Sequence, residues 1–192
     1  ARERLSRANH PAASEILAWY PRNGAGQLCD AMAAALPPAG VHTEATVKGV
    51  LTGDGRVQGV LVEQGGRERT LEADLYISTI PLQRLVHALV PAPAPELLAA
   101  ADRLRFRTVR LVNLIVGQDR ILDCLEIFSM TRSHPFKRVY EPKAMSAAMA
   151  PAGMSSLCME VCCSEGEEYH RMPPGELADR CTDALLEMRL LA

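Results

Sequence analysis

Apolar positions recur at helical spacing near the start and at the end of the chain. The first stretch predicts a helix over residues 26–36, with apolar positions at Leu28, Ala31, Met32, Ala35 and Leu36. Pro37 and Pro38 follow it and should end it. Residues 174–191 predict a second amphipathic helix, which begins with Pro174 and carries Glu176 in its first turn.

The pattern between residues 41 and 72 changes to the alternation that is typical of strands. Residues 41–51 read as one strand or two, and further strands are predicted over residues 56–63 and 67–72. Gly-Asp-Gly at 53–55 and Gln-Gly-Gly at 64–66 separate them, and such short glycine-containing turns favour tight hairpins. The sequence therefore predicts a small antiparallel meander.

Residues 73–81 have a different character, because a short apolar run stops at Ser78, Thr79 and Pro81. Strands that are buried on both faces of a parallel sheet read this way. In open α/β sheets, ligands bind at the carboxyl ends of such strands. We therefore expect a buried strand here, with a ligand-binding edge at its end.

Further helices and strands are predicted in the rest of the chain. Helices are predicted over residues 82–89 and 95–104, and residues 1–20 read as the tail of a helix or lid. Residues 143–153 read as a connection rich in Met and Ala. A larger mixed sheet is predicted from residues 108–117, 125–130, 137–140 and 156–163. The predicted fold class is α+β, or mixed α/β, with an antiparallel meander and a second sheet flanked by helices.

Composition is ordinary for a folded domain. Apolar residues make up 48% of the 192 positions and charged residues 23%, with a formal net charge of −2. No basic stripe is present, and only 4% of residues are aromatic. Nucleic acid is therefore not expected as a partner, because its binding needs basic patches and stacking side chains.

Cysteine usage and hydropathy predict the cellular compartment of the protein. The six cysteines are scattered and form no CxxC pair, which favours free thiols in a reducing compartment and predicts no metal site. No apolar run reaches the roughly 18 residues that a membrane helix needs. We expect a cytoplasmic protein. The chain begins without Met and stops inside an apolar-periodic stretch, so both ends are expected to be cuts in a longer polypeptide.

Few local motifs point to chemistry by themselves. Gly24 and Gly26 precede a helix, as a phosphate loop does, but no apolar strand precedes them and a plain turn is the simpler interpretation. Four arginines lie near the start of the strand at 108–117, where they either protect a sheet edge or clamp an anion. They are Arg103, Arg105, Arg107 and Arg110. Four methionines, which could line a cavity, are expected to fill the core instead: Met145, Met149, Met154 and Met159. No catalytic residue is assigned.

The order of these segments resembles a known family. A Tyr-Pro-x-x-Gly-x-Gly-Gln-Leu turn enters a helix, a strand containing Val47 follows, and then comes a Gly-Asp-Gly-Arg-Val hairpin. Residues 73–82 read Ala-Asp-Leu-Tyr-Ile-Ser-Thr-Ile-Pro-Leu and carry the most specific part of the match. The chain resembles the middle of FAD-dependent oxidoreductases of the amine oxidase, protoporphyrinogen oxidase and phytoene desaturase superfamily. Residues 138–143, 149–151 and 156–160 resemble the protoporphyrinogen oxidase-like branch.

The resemblance implies roles for particular residues. Val47 matches the strand position that meets the adenine end of FAD, and Ser78, Thr79 and Pro81 match the strand end beside the adenosine part. Gly24 and Gly26 match a turn near the flavin or the substrate. Three places depart from the family's usual residues: Tyr76 where a smaller apolar residue is usual, Cys162 with Cys163, and His170.

The function implied is hydride transfer from an amine, a porphyrinogen or a polyene-type small molecule to the flavin. Residues 1–90 are expected to be a partial FAD-binding region, of which residues 1–36 alternatively pack with the substrate domain, and residues 91–192 a substrate-domain portion. The family's dinucleotide fingerprint is not in this chain, so the fragment alone is expected to be inactive and to form a homodimer through uncovered apolar faces. The alternative is a non-catalytic module that binds a small molecule or a protein.

Overall fold

The computed structural model describes residues 2–4 and 19–191. The chain divides into two compact units. We call Ala1–Ala35 together with Phe106–Ala192 the core unit, and Leu36–Arg105 the meander unit. The α+β class predicted from the sequence is confirmed, since helices and antiparallel sheets occur in both units. The functional division at residue 90 stays a prediction.

The core unit is built on a four-stranded sheet. Its elements, in chain order, are β1 (Arg2–Arg4), β2 (Trp19–Pro21), α1 (Gly26–Ala34), β7 (Thr108–Val116), β8 (Glu126–Phe128), β9 (Arg138–Tyr140), α4 (Pro142–Met145), β10 (Ser155–Cys163), α5 (Glu168–Arg171) and α6 (Pro174–Glu187). The strand order is β7-β10-β9-β8, and all three pairings are antiparallel. The prediction of a mixed sheet is therefore wrong for this unit.

The core of this unit lies between one face of the sheet and helix α6. The helix buries Leu177, Cys181, Ala184 and Leu185, which recur every three or four residues along one side. They pack against Leu157, Met159 and Val161 of β10, together with Val112 of β7 and Val139 of β9. The amphipathic helix predicted at residues 174–191 is thus confirmed and ends at Glu187.

The meander unit contains β3 (Ala45–Gly53), β4 (Arg56–Gln64), β5 (Arg67–Leu71), α2 (Leu82–His87), β6 (Leu89–Val90) and α3 (Pro95–Asp102). The sheet order is β5-β4-β3-β6, with β6 parallel to β3. Asp54 and Gly55 in the first turn have φ of 52° and 73°, and Gly65 and Gly66 in the second have 58° and 75°. Positive φ at both central residues is the geometry of the tight hairpins predicted from the sequence.

Two predicted elements differ from the structure. The predicted helix tail or lid at residues 1–20 is replaced, where the chain is described, by the paired strands β1 and β2, and residues 5–18 lie outside the described residues. Residues 73–81 form no strand among the described residues and are mostly exposed, so the prediction of a buried parallel strand is wrong for this chain. The physical reason is the lack of a partner, because no described strand lies alongside the segment to accept its hydrogen bonds.

Candidate functional site

Residues 73–81, which we call the open segment, follow strand β5 and expose large apolar side chains. The Leu75 and Ile77 side chains are 75% and 82% exposed, whereas Tyr76 between them is half-buried. Between residues 74 and 80, no backbone group bonds to another backbone group of the described chain. The backbone donors and acceptors of these residues therefore have no backbone partner within the described part of the chain.

The open segment is fixed at two points. The Tyr76 hydroxyl accepts a hydrogen bond from the Ala73 amide at 2.8 Å and donates one to the Gln58 carbonyl of β4 at 3.3 Å. At the other end, the Pro81 carbonyl accepts the Leu85 amide at 3.0 Å in the first turn of α2. Ser78 and Thr79 lie exposed between these anchors and have no charged neighbour within residues 75–81.

Val47 lies on β3 beside an irregularity in the sheet. It pairs with Val62, but the next paired residue of β3 is Gly49, opposite Leu61, so Lys48 is the extra residue of a β-bulge. Bulges are frequent next to binding sites, where they redirect a side chain. The Val47 side chain is 44% exposed and offers an apolar surface. Val62 and Gln58 are four residues apart on β4, about 13 Å along the strand, so Val47 and the Tyr76 anchor of the open segment meet β4 at separate places.

Gly24 and Gly26 belong to the core unit, whereas Val47, Ser78, Thr79 and Pro81 belong to the meander unit. Gly24 has a φ of 91°, and a Cβ there would lie 3.2 Å from the Met149 side chain. The turn and its packing therefore account for a glycine at position 24. A Cβ at Gly26 would meet nothing within 4 Å, so packing does not explain that glycine.

The two helices after the open segment are joined by polar contacts. Nε2 of His87 on α2 lies 2.6 Å from Oδ1 of Asp102 on α3, which also accepts the Gln83 amide at 3.3 Å. The hydrogen bond with His87, and then that with Gln83, lowers the pKa of Asp102. These contacts hold α2, the helix that follows the open segment, against α3.

The face of the core-unit sheet away from α6 carries a charged group of side chains. The Arg138 guanidinium bonds to Glu126 at 3.0 Å and to Glu160, and its carbon Cζ lies 5.3 Å from the centre of the Tyr140 ring. The hydrogen bond with Glu160 raises the pKa of Arg138 above its usual range. A hydrogen bond with the Cys158 thiol, together with burial, raises the pKa of Tyr140 to about 12.

Burial also raises the pKa of the Cys158 thiol. Both Tyr140 and Cys158 therefore stay protonated at neutral pH, which disfavours roles as a base or a nucleophile. Exposed apolar side chains from the two edge strands lie on the same sheet: Val109, Leu111, Ile115 and Phe128. This face can bind a largely apolar molecule and orient it by a few polar groups.

Sequence reasoning missed a buried carboxylate that holds the sheet and its loops together. The Glu141 side chain is fully buried and accepts the amides of Ile121, at 3.1 Å, and Leu122, at 2.7 Å, as well as the hydroxyl of Ser155. The only signal in the sequence is that Glu141 directly follows a predicted strand and precedes a proline. Its partners lie 14 to 20 residues away in the chain, which no local pattern reveals.

The arginine and methionine groups have mostly structural contacts. Arg110 donates to the carbonyls of Tyr169 and Met172 at 2.6 and 2.7 Å, and Arg107 donates to the Cys162 carbonyl at 3.2 Å. These two side chains therefore tie β7 to residues 162–172 and do not form an anion clamp together. Of the four methionines, Met159 is fully buried in the core, as core filling predicts. The prediction is wrong for Met154, which is exposed, and Met145 and Met149 are half-buried outside the core cluster.

Comparison with known proteins decides the family. The model of the flavin containing amine oxidoreductases matches residues 9–190. The chain belongs to this family. The resemblance stated from the sequence is thereby confirmed at the level of the superfamily, and a flavin is the cofactor that the family's description implies. The protoporphyrinogen oxidase-like branch stays a prediction.

A solved structure shows the same fold. The chain is similar to the crystal structure of reduced UDP-galactopyranose mutase, with a TM-score of 0.75 and 18% identity over 91% of this chain. The chain spans 37% of the length of that mutase chain. None of the curated proteins matches this sequence.

Across residues 2–4 and 19–191, no three His, Cys, Asp or Glu side chains are grouped so that they could hold a metal ion. Every helix in this described part is too short or too polar to cross a bilayer.

Proposed function

We propose that the chain is the central part of an FAD-dependent oxidoreductase, which dehydrogenates an amine, a porphyrinogen or a polyene-type substrate. The observation that carries this proposal is the open segment. An apolar run of the kind that is buried in a flavin domain is exposed here, with free backbone groups and an uncharged end at Ser78 and Thr79. When bound, the flavin would accept the hydride, and the protein would bind and orient the substrate.

The meander unit would hold the adenosine half of the cofactor. An adenosine needs backbone donors and acceptors and a thin apolar wall, which the open segment and the bulged strand at Val47 both offer. Ser78, Thr79 and Pro81 would lie beside the adenosine, and Gly24 and Gly26 would lie near the flavin or the substrate. Because these positions serve an adenosine, we propose FAD as the flavin.

The core unit would supply the substrate surface. Its open sheet face combines exposed apolar side chains with the half-buried Tyr140, which suits a largely apolar small molecule, whereas the Cys158 thiol is buried beneath it. Most of the core unit falls within residues 91–192, the predicted substrate-domain portion. The resemblance of residues 138–143 supports the protoporphyrinogen oxidase-like branch. All six cysteines are free, which supports a cytoplasmic location.

The full-length protein provides the test of this proposal. We expect it to purify yellow, to show flavin absorbance, and to release FAD upon denaturation, as identified by chromatography against FAD and FMN standards. Substrate candidates of the three classes should then bleach the flavin absorbance under anaerobic conditions. A colourless protein that also fails to bind added FAD would contradict the proposal and favour a non-catalytic binding module.

The 192-residue chain alone should form a homodimer through the open segment. Exposed Leu75, Ile77 and Ile80 present an apolar strip with free backbone groups, which favours association between copies. Light scattering should give about twice the 20.9 kDa chain mass. Ile77→Lys should shift the chain to the monomer, whereas Glu72→Lys, an exposed change just outside the strip, should not. A monomer at high concentration would contradict this expectation.

A further inference from the structure

Tyr76 is the only residue of the open segment whose side chain bonds to the meander sheet, within the described residues. Its neighbours Leu75 and Ile77 face outward, while its ring lies half-buried against the sheet. A smaller apolar side chain at this position would fill part of this space but would lack the hydroxyl.

Within the described residues, the hydroxyl joins two places that no other hydrogen bond connects. It accepts from the Ala73 amide, three residues earlier, and donates to the Gln58 carbonyl of β4. Together these bonds turn the chain at Ala73 and fix the direction in which Ser78 and Thr79 leave the sheet. The next anchor is the Pro81 carbonyl in the first turn of α2.

We propose that Tyr76 is a positioning residue, which sets the backbone path of Ser78 and Thr79 for the adenosine half of the cofactor. This inference rests on the proposed function of the open segment. Pre-ordering a loop in its bound conformation increases affinity because less conformational entropy is lost on binding. Ala73 and Gln58 are both exposed, so water replaces the hydroxyl if it is removed, and overall stability should change little.

Tyr76→Phe removes the hydroxyl and keeps the ring, which makes it the sharpest variant. In the full-length protein stripped of flavin, we expect it to weaken the binding of FAD and of ADP about fivefold. FMN, which lacks the adenosine, should bind as it does to the unchanged protein. Amide hydrogen exchange should become faster in residues 73–77, while the melting temperature stays within about 1 °C because the lost bonds are replaced by water.

The matched control is Tyr169→Phe, which removes a half-buried tyrosine hydroxyl of the core unit and should leave ADP binding unchanged. Thr79→Asp serves as a reference for the site itself. If Thr79→Asp weakens ADP binding and Tyr76→Phe does not, the role of Tyr76 is wrong and the proposed function stands. If ADP does not bind, or if Thr79→Asp leaves its binding unchanged, the proposed function is wrong and the role of Tyr76 falls with it. Equal losses of ADP and FMN binding in Tyr76→Phe would also overturn the role, because they would indicate a general loosening.

Discussion

Replacing Glu141 with alanine is expected to lower the melting temperature of the chain by about 10 °C. The change leaves the amides of Ile121 and Leu122 and the hydroxyl of Ser155 without an acceptor in a buried place. Unsatisfied buried donors cost about 1–3 kcal/mol each, and partial relaxation should bring the total to about 3 kcal/mol. In a chain of this size, 1 kcal/mol corresponds to a shift of roughly 2–4 °C. Thermal unfolding followed by circular dichroism measures the effect.

Two further variants make this prediction specific. Glu165→Ala removes a carboxylate from an exposed turn and should change the melting temperature by less than about 2 °C, as most surface substitutions do. Glu141→Gln keeps the shape and one acceptor oxygen, so its loss should lie between those of the other two. A Glu141→Ala chain that melts like the Glu165→Ala chain would show that the carboxylate does not hold this part of the sheet.

The sequence was sufficient for elements whose signals are local. The hairpin turns at Asp54-Gly55 and Gly65-Gly66 follow from residues that tolerate positive φ, and the periodicity of α6 identifies its buried side. The alternating patterns at residues 108–117 and 156–163 also predict β7 and β10, which form the longest strand pair of the core-unit sheet. In these elements, the local pattern and the packing require the same conformation.

Contacts between distant parts of the chain could not be predicted in this way. The Glu141 contacts join residues that no periodic pattern relates, and the bond from Tyr76 to Gln58 spans 18 residues. The open segment shows a different limit. Its composition predicts a strand suited to burial, but pairing also requires neighbouring strands, and the described chain has none beside it.

The candidate site was predicted as six residues from a resemblance, and the structure distributes them over two units. Val47 has an exposed side chain beside a bulge, and Ser78, Thr79 and Pro81 lie in the open segment. Gly24 has a structural explanation of its own in its contact with Met149. The role of each residue in binding a cofactor stays a prediction.

The flavin affinity of a Val47→Asp variant of the full-length protein has the largest expected effect on binding. A carboxylate at this place would remove the apolar wall, and an adenine bound there would bury the charged group. The free energy of binding should become less favourable by about 2.7 kcal/mol, which is about 100-fold in the Kd for FAD. Thr46→Asp is the matched control, because adjacent side chains on a strand point to opposite faces and Thr46 is also exposed.

The comparison of these two variants tests the central claim most directly. Kd values for FAD and ADP can be measured by titration of the flavin-free protein, with melting temperatures to verify that both variants fold. We expect Val47→Asp to lose about 100-fold in affinity for both ligands and Thr46→Asp to bind like the unchanged protein, within about a factor of two. Equal affinities for FAD in all three proteins would contradict the claim that the meander unit forms the adenosine wall of a flavin site.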